Sequence, residues 1–158
     1  MRRKSLYMVV IALMLFTQHT LAATYVYVSL AGEKTIAIYR QNEETGELTR
    51  TGEVQTSGAP GPLTTDPRQQ YLFASLRSTG ELASFQLNPE TGEMKAISQI
   101  PAGADPAYVA CDNTGRYLLS AYYAAGKVAV HSIGPDGALA AIPIASIETA
   151  KNAHAIMT

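Results

Sequence analysis

Two stretches of the chain decide its architecture when one is set above the other. "YVYVSLAGEKTIAIYRQNEETGELT", Tyr25 to Thr49, lies over "YLFASLRSTGELASFQLNPETGEMK", Tyr71 to Lys95, at an offset of 46 residues. Tyr25/Tyr71, Ser29/Ser75, Leu30/Leu76, Asn42/Asn88, Thr45/Thr91, Gly46/Gly92, Glu47/Glu93 and Pro60/Pro106 coincide. The register holds without a gap as far as Asp66 over Asp112. A third copy, "YLLSAYYAAGKVAVHSIGPDGAL", opens at Tyr117 and keeps the same offset until one residue drops out at "PDGAL". The chain is a tandem array, and any fold must repeat with it.

Within each period, short apolar runs of five to seven residues alternate with Gly, Pro, Asp and Asn turns, the pattern of an all-β chain. In one copy the runs are "AYVACD" from Ala107, "YLLSAYY" from Tyr117, "KVAVHSI" from Lys127 and "ALAAIPIASI" from Ala138. Four strands in about 46 residues predict one blade of a β-propeller of four-stranded antiparallel blades. In "ETGEL" and "ETGEM", Gly46 and Gly92 are expected at positive φ, which a side chain with Cβ disfavours. The blades are expected at about 25–54, 61–100 and 107–147, with a fourth innermost strand starting in "HAIMT", 154–158. The first blade begins at its second strand, so it has three strands where the others have four. About three blades are too few to close a ring of four to eight. The array therefore predicts a partial propeller, completed by further blades or by self-association.

The residues before the array are of another kind. Arg2, Arg3 and Lys4 precede an apolar run of eleven residues, Leu6 to Phe16, and "TQHTLAAT" follows with small residues at Ala22 and Ala23. That layout predicts a signal peptide over 1–23 and a periplasmic or secreted product. The run is short of the ~20 residues that span a bilayer, so no membrane attachment is expected after cleavage. Cleavage would take the net charge from −1 to about −4. No basic tract lies within the array, so no nucleic-acid partner is expected. The His, Cys, Asp and Glu residues show no ligand spacing, and neither a metal nor another cofactor is expected. Cys111 is the only cysteine and reads as strand filler. His131 repeats the place of Phe85 and Tyr39, which predicts packing between blades. Asp66 and Asp112 recur after the innermost strand and are expected to cap their turns.

Taken in order, "YVYVSLAGEKTIAIYRQNEETGELTRTG", "GAPGPLTTDPRQQYLFASL", "GADPAYVACDNTGRYLLSAYYAAGKVAVHSIGPDGAL" and "AHAIMT" resemble the seven-bladed lactonase family, which includes 6-phosphogluconolactonase and carboxy-cis,cis-muconate cyclase. The family phrase of Pro, a strand, then Asp-x-x-Gly-Arg-Tyr-Leu is matched from Pro106 to Leu118, and its following Tyr and turn Gly at Tyr123 and Gly126. Tyr122 departs from the Asn or Ser common there. The resemblance implies a hydrolase acting on a sugar or carboxylic-acid lactone, with about three of seven blades present. It also implies that His154 is the catalytic imidazole at the channel, with Arg and Glu partners on later blades. Tyr122 and Tyr123 stand at a strand end near the same channel mouth, and Tyr123 is the candidate substrate-binding hydroxyl, with packing between sheets as its alternative role. An imidazole there would take a proton from an attacking water and return it to the leaving alkoxide. The alternative is a non-catalytic exported propeller, similar to YVTN-type repeats, that serves as a binding or scaffold module.

Overall fold

A computed structural model describes residues 23–158. The expected signal peptide, apart from Ala23, lies outside the described residues. Eleven strands form three antiparallel sheets, one after another along the chain. The first sheet has three strands, β1 (Thr24–Leu30), β2 (Thr35–Gln41) and β3 (Leu48–Gln55). The second holds β4 (Pro60–Thr65), β5 (Tyr71–Leu76), β6 (Glu81–Leu87) and β7 (Met94–Pro101). The third holds β8 (Tyr108–Cys111), β9 (Tyr117–Tyr122), β10 (Lys127–Ser132) and β11 (Ala145–Glu148). Strands pair in sequence order within each sheet, which is the meander of a propeller blade. The innermost strands β4 and β8 lie beside each other, and β1 lies beside β4.

Packing explains why the middle strands do not alternate apolar with polar residues. The sheet of β4–β7 is covered on one face by the first blade and on the other by the third. Leu72, Ala74, Leu76, Ala83 and Phe85 meet Ile36, Tyr27 and Val54 of the first blade. Phe73, Leu82 and Ile100 meet Val109, Leu118, Tyr122 and Leu139 of the third. A strand buried on both faces needs apolar residues at consecutive positions, as "YLFASL" in β5 provides.

The turns repeat down to individual hydrogen bonds. Asn42 Oδ1 accepts from the amides of Glu44 and Thr45, and Asn88 Oδ1 from those of Glu90 and Thr91. Gly46 and Gly92 then close the hairpins at φ of 74° and 72°. Asp66 accepts from the amides of Arg68, Gln70 and Tyr71, and Asp112 from those of Thr114, Arg116 and Tyr117. Both are Asx caps that hold the turn from the innermost strand into the next one. Burial works against the Asp112 carboxylate, but these amides and the Thr114 hydroxyl outweigh it and hold its pKa below the ordinary range.

A second device joins neighbouring blades. The Tyr25 hydroxyl donates to the Glu90 carbonyl, and its ring covers Gly92 in the hairpin of the next blade. One period later, Tyr71 donates to the Pro135 carbonyl and covers Gly137. Each blade is thus latched to its successor by a tyrosine laid over a turn glycine. A repeated serine adds to this, with Ser29 donating to the Gly61 carbonyl and Ser75 to that of Pro106.

Two expected strands come out differently. The run from Ala138 to Ile147 is not one strand: only Ala145–Glu148 pairs with β10, and Leu139 makes an isolated bridge to Ile133. Pro143 lies between them and has no N–H to give to a ladder. Residues 155–158 carry no strand. Their counterparts β4 and β8 are held by β5 and β9, and no described segment pairs with 155–158.

His131 sits where the repeat puts it, fully enclosed on β10, and its Nδ1 has no hydrogen-bond partner. Desolvation, and then the charge of Lys127, push its pKa below the ordinary histidine value. A buried polar atom without a partner costs stability, so His131→Phe, which restores the residue of the preceding blade, is expected to stabilise the protein. The pH dependence gives the sign. A histidine with a lowered folded pKa holds its full stability above the unfolded value of about 6.5 and loses it as pH falls toward the folded one. Thermal melts of His131→Phe should therefore lose less stability between about pH 6.5 and 5 than those of the unsubstituted protein.

Candidate functional site

The blades' antiparallel pairing places chemically different segments on one rim. Pro60, which starts β4, pairs with Leu76 at the end of β5; Leu76 pairs with Glu81, and Glu81 with Pro101. The start of the innermost strand, the turn after the second strand and the end of the outermost strand therefore lie together. In the third blade the same rim gathers Tyr108, Ala121, Tyr122, Lys127 and Glu148. Residues that bridge from an outermost strand to the next innermost strand cross this rim toward the axis.

Tyr123 and His154 meet there. Tyr123 is the first residue past β9, and His154 lies in the segment after β11. Their rings stand edge to face, with centroids 5.6 Å apart and planes at 87°. The Asn152 amide donates to the Tyr123 carbonyl at 3.0 Å, and the Thr149 amide to the Gly126 carbonyl at 2.7 Å. Those two bonds fold the segment back over the turn and bring the imidazole to the phenol. Such an edge-to-face pair contributes about 0.5–1.5 kcal/mol beyond area burial, enough to orient a ring on a surface. Both side chains remain open to solvent, Tyr123 at 43% exposure, so a small molecule can reach them.

Tyr122, one residue earlier, points the other way. It is fully buried, its hydroxyl accepts from Ser120 Oγ at 3.0 Å, and desolvation raises its pKa. The ammonium of Lys127 rests 4.8 Å from the centre of its ring. Tyr122 is a packing residue that also occupies Lys127. Cys111 is half-buried, and desolvation followed by the charges of Asp112 and Asp66 pushes its thiol up to about 11, so it is no nucleophile near neutrality.

A pair that sequence comparison passed over lies on the same rim one blade earlier. Arg77 stands 46 residues before Tyr123 and, like it, is the first residue past the second strand of its blade. Its Nε and Nη2 donate to the two carboxylate oxygens of Asp105, both at 2.7 Å. Asp105 leads into β8 as His154 leads out of the third blade. Each pair ties a turn to the segment beyond an outermost strand, but only Arg77 and Tyr123 are repeat counterparts, since His154 follows Asp105 by 49 residues. In the first blade the same places hold Ala31 and Ala59. The stem of Arg77 lies across Gly61 in β4, where a Cβ would come within 3 Å of its Cγ and Cδ.

A family model described as a seven-bladed β-propeller lactonase matches residues 19–153. Among solved structures, a candidate 6-phosphogluconolactonase of Bacteroides fragilis superposes with a TM-score of 0.72 and 25% identity, covering 82% of this chain and 37% of that one. Another from Bacteroides uniformis gives 0.71 and 26%, covering 81% and 38%. The periplasmic gluconolactonase of Pseudomonas aeruginosa gives 0.66 and 25%, covering 79% and 38%. The chain thus spans well under half the length of these structures. No curated protein matches it.

Proposed function

From a chain that belongs to the seven-bladed β-propeller lactonase family, we propose that its rim of Tyr123 and His154 serves hydrolysis of a sugar-acid lactone. The observation that carries this reading is the edge-to-face contact that holds an exposed imidazole and an exposed phenol together at the axial rim. Lactone opening needs a base for the attacking water, an acid for the departing alkoxide and donors for the oxyanion. His154 takes the proton from water as the water's oxygen bonds to the lactone carbonyl carbon. When the ring C–O bond breaks, the imidazolium returns that proton to the alkoxide, giving the open hydroxy acid. Tyr123 Oη donates a hydrogen bond to a substrate hydroxyl and keeps the imidazole plane fixed.

The remaining partners in this reading come from blades beyond the three described, in the same polypeptide or in an associated copy. Ile142, Ile144, Ile147 and Met157 are large apolar side chains left exposed at the outer end of the array, which suits a surface that another blade covers. The proposal extends to location. The basic residues, apolar run and small residues ahead of Thr24 read as an export signal, and one structural relative at 25% identity is named as periplasmic.

The test is proton release. Adding glucono-δ-lactone or its 6-phosphate to the intact protein in weak buffer should speed acidification well above the spontaneous rate. If neither lactone opens faster than in protein-free buffer, the enzymatic reading fails and a binding propeller takes its place.

A further inference from the structure

We infer that Arg77, held by Asp105, is the residue that selects lactones carrying an anionic group. The inference rests on the lactonase reading for the reaction and on geometry for the residue. A guanidinium has five N–H donors in a planar fork. Asp105 takes the edge formed by Nε and Nη2, and among the described residues Nη1 has no partner. That leaves a second edge, already oriented, with the bidentate geometry that suits a carboxylate or a phosphate monoester.

Its placement favours a ligand over a staple. The ion pair is half exposed, and an exposed pair contributes only about 0–1 kcal/mol to stability. The blade junction does not need it, because the first blade carries alanine at both places. The stem of Arg77 is laid over the innermost strand at Gly61, where the absence of a side chain gives it room. The head group therefore stays on the rim next to the blade that presents Tyr123 and His154. Lys127 is committed to the Tyr122 ring, so it does not duplicate this role.

Two experiments on the intact protein test the assignment. The first compares kcat/KM for 6-phosphogluconolactone with that for neutral glucono-δ-lactone. Arg77→Gln should lower that ratio roughly tenfold to a hundredfold, mainly through KM, as expected for losing a charge-assisted pair of hydrogen bonds. Asp105→Asn should raise KM for the phosphorylated lactone with kcat retained, and Arg50→Gln on the outer strand β3 should change neither value. The second is thermal stabilisation by inorganic phosphate against chloride at matched ionic strength. Arg77→Gln should need at least tenfold more phosphate for the same shift. A parallel titration with tricarballylate separates a carboxylate preference from a phosphate one. An unchanged ratio together with identical titrations would overturn the assignment. So would a loss equal on the two lactones, which marks a structural role. If the protein opens no lactone, the reaction is refuted, and the anion titrations still decide whether Arg77 binds.

Discussion

Replacing His154 with alanine is expected to lower kcat/KM for lactone opening by about two to four orders of magnitude, the usual contribution of a positioned general base. The fold should not change. His154 is exposed and in no strand, and surface substitutions away from caps and cores usually alter stability by less than about 0.5 kcal/mol. The loss should therefore appear with an unaltered melting temperature, which separates chemistry from unfolding. Tyr123→Phe gives the complementary reading. It keeps the ring that faces the imidazole and removes only the hydroxyl, so its effect should fall mostly on KM. Equal proton-release rates for His154→Ala and the unsubstituted protein would remove this histidine from the mechanism.

How far such features can be read from sequence depends on whether they repeat within a blade or join two blades. Caps and turns involve neighbours along the chain, and the repeat aligns them: Asp66 with Asp112, Asn42 with Asn88, Gly46 with Gly92. Each makes in the structure the contacts that its residue type calls for. The Arg77–Asp105 pair is invisible to the same comparison. Its members come from adjacent blades; the first copy carries Ala31 and Ala59 at the aligned positions, and the third carries Tyr123 at that of Arg77. The repeat alone does not bring Tyr123 to His154 either; only the resemblance places both at the channel, and a fold-back through Asn152 and Thr149 joins them in the structure. The two runs without a full strand satisfy an apolar pattern, whereas a ladder needs N–H groups and a partner. Pro143 lacks the first, and 155–158 has no described segment for the second.

The tyrosine latch shows the same distinction and yields the largest expected effect on stability. In sequence, Gly46 and Gly92 are equivalent hairpin glycines, and both have positive φ in the structure. Their surroundings differ. Among the described residues a Cβ on Gly46 would meet nothing, whereas one on Gly92 would come within 3 Å of three atoms of the Tyr25 ring. Alanine at Gly46 should cost only the left-handed backbone, about 1–2 kcal/mol. Alanine at Gly92 should carry that same cost and also force the ring away. The shift strains its hydrogen bond to the Glu90 carbonyl and that of Tyr27 to the Gly92 carbonyl, adding about 1–3 kcal/mol of overpacking. Urea denaturation of the intact protein should thus place Gly92→Ala below Gly46→Ala by that difference. Gly137→Ala should behave like Gly92→Ala, because Tyr71 covers it in the same way. Combining Gly92→Ala with Tyr25→Ala should recover part of the loss, since the ring that clashes is gone. If Gly46→Ala and Gly92→Ala cost the same, the tyrosine ring does not rest on Gly92 and the latch is refuted.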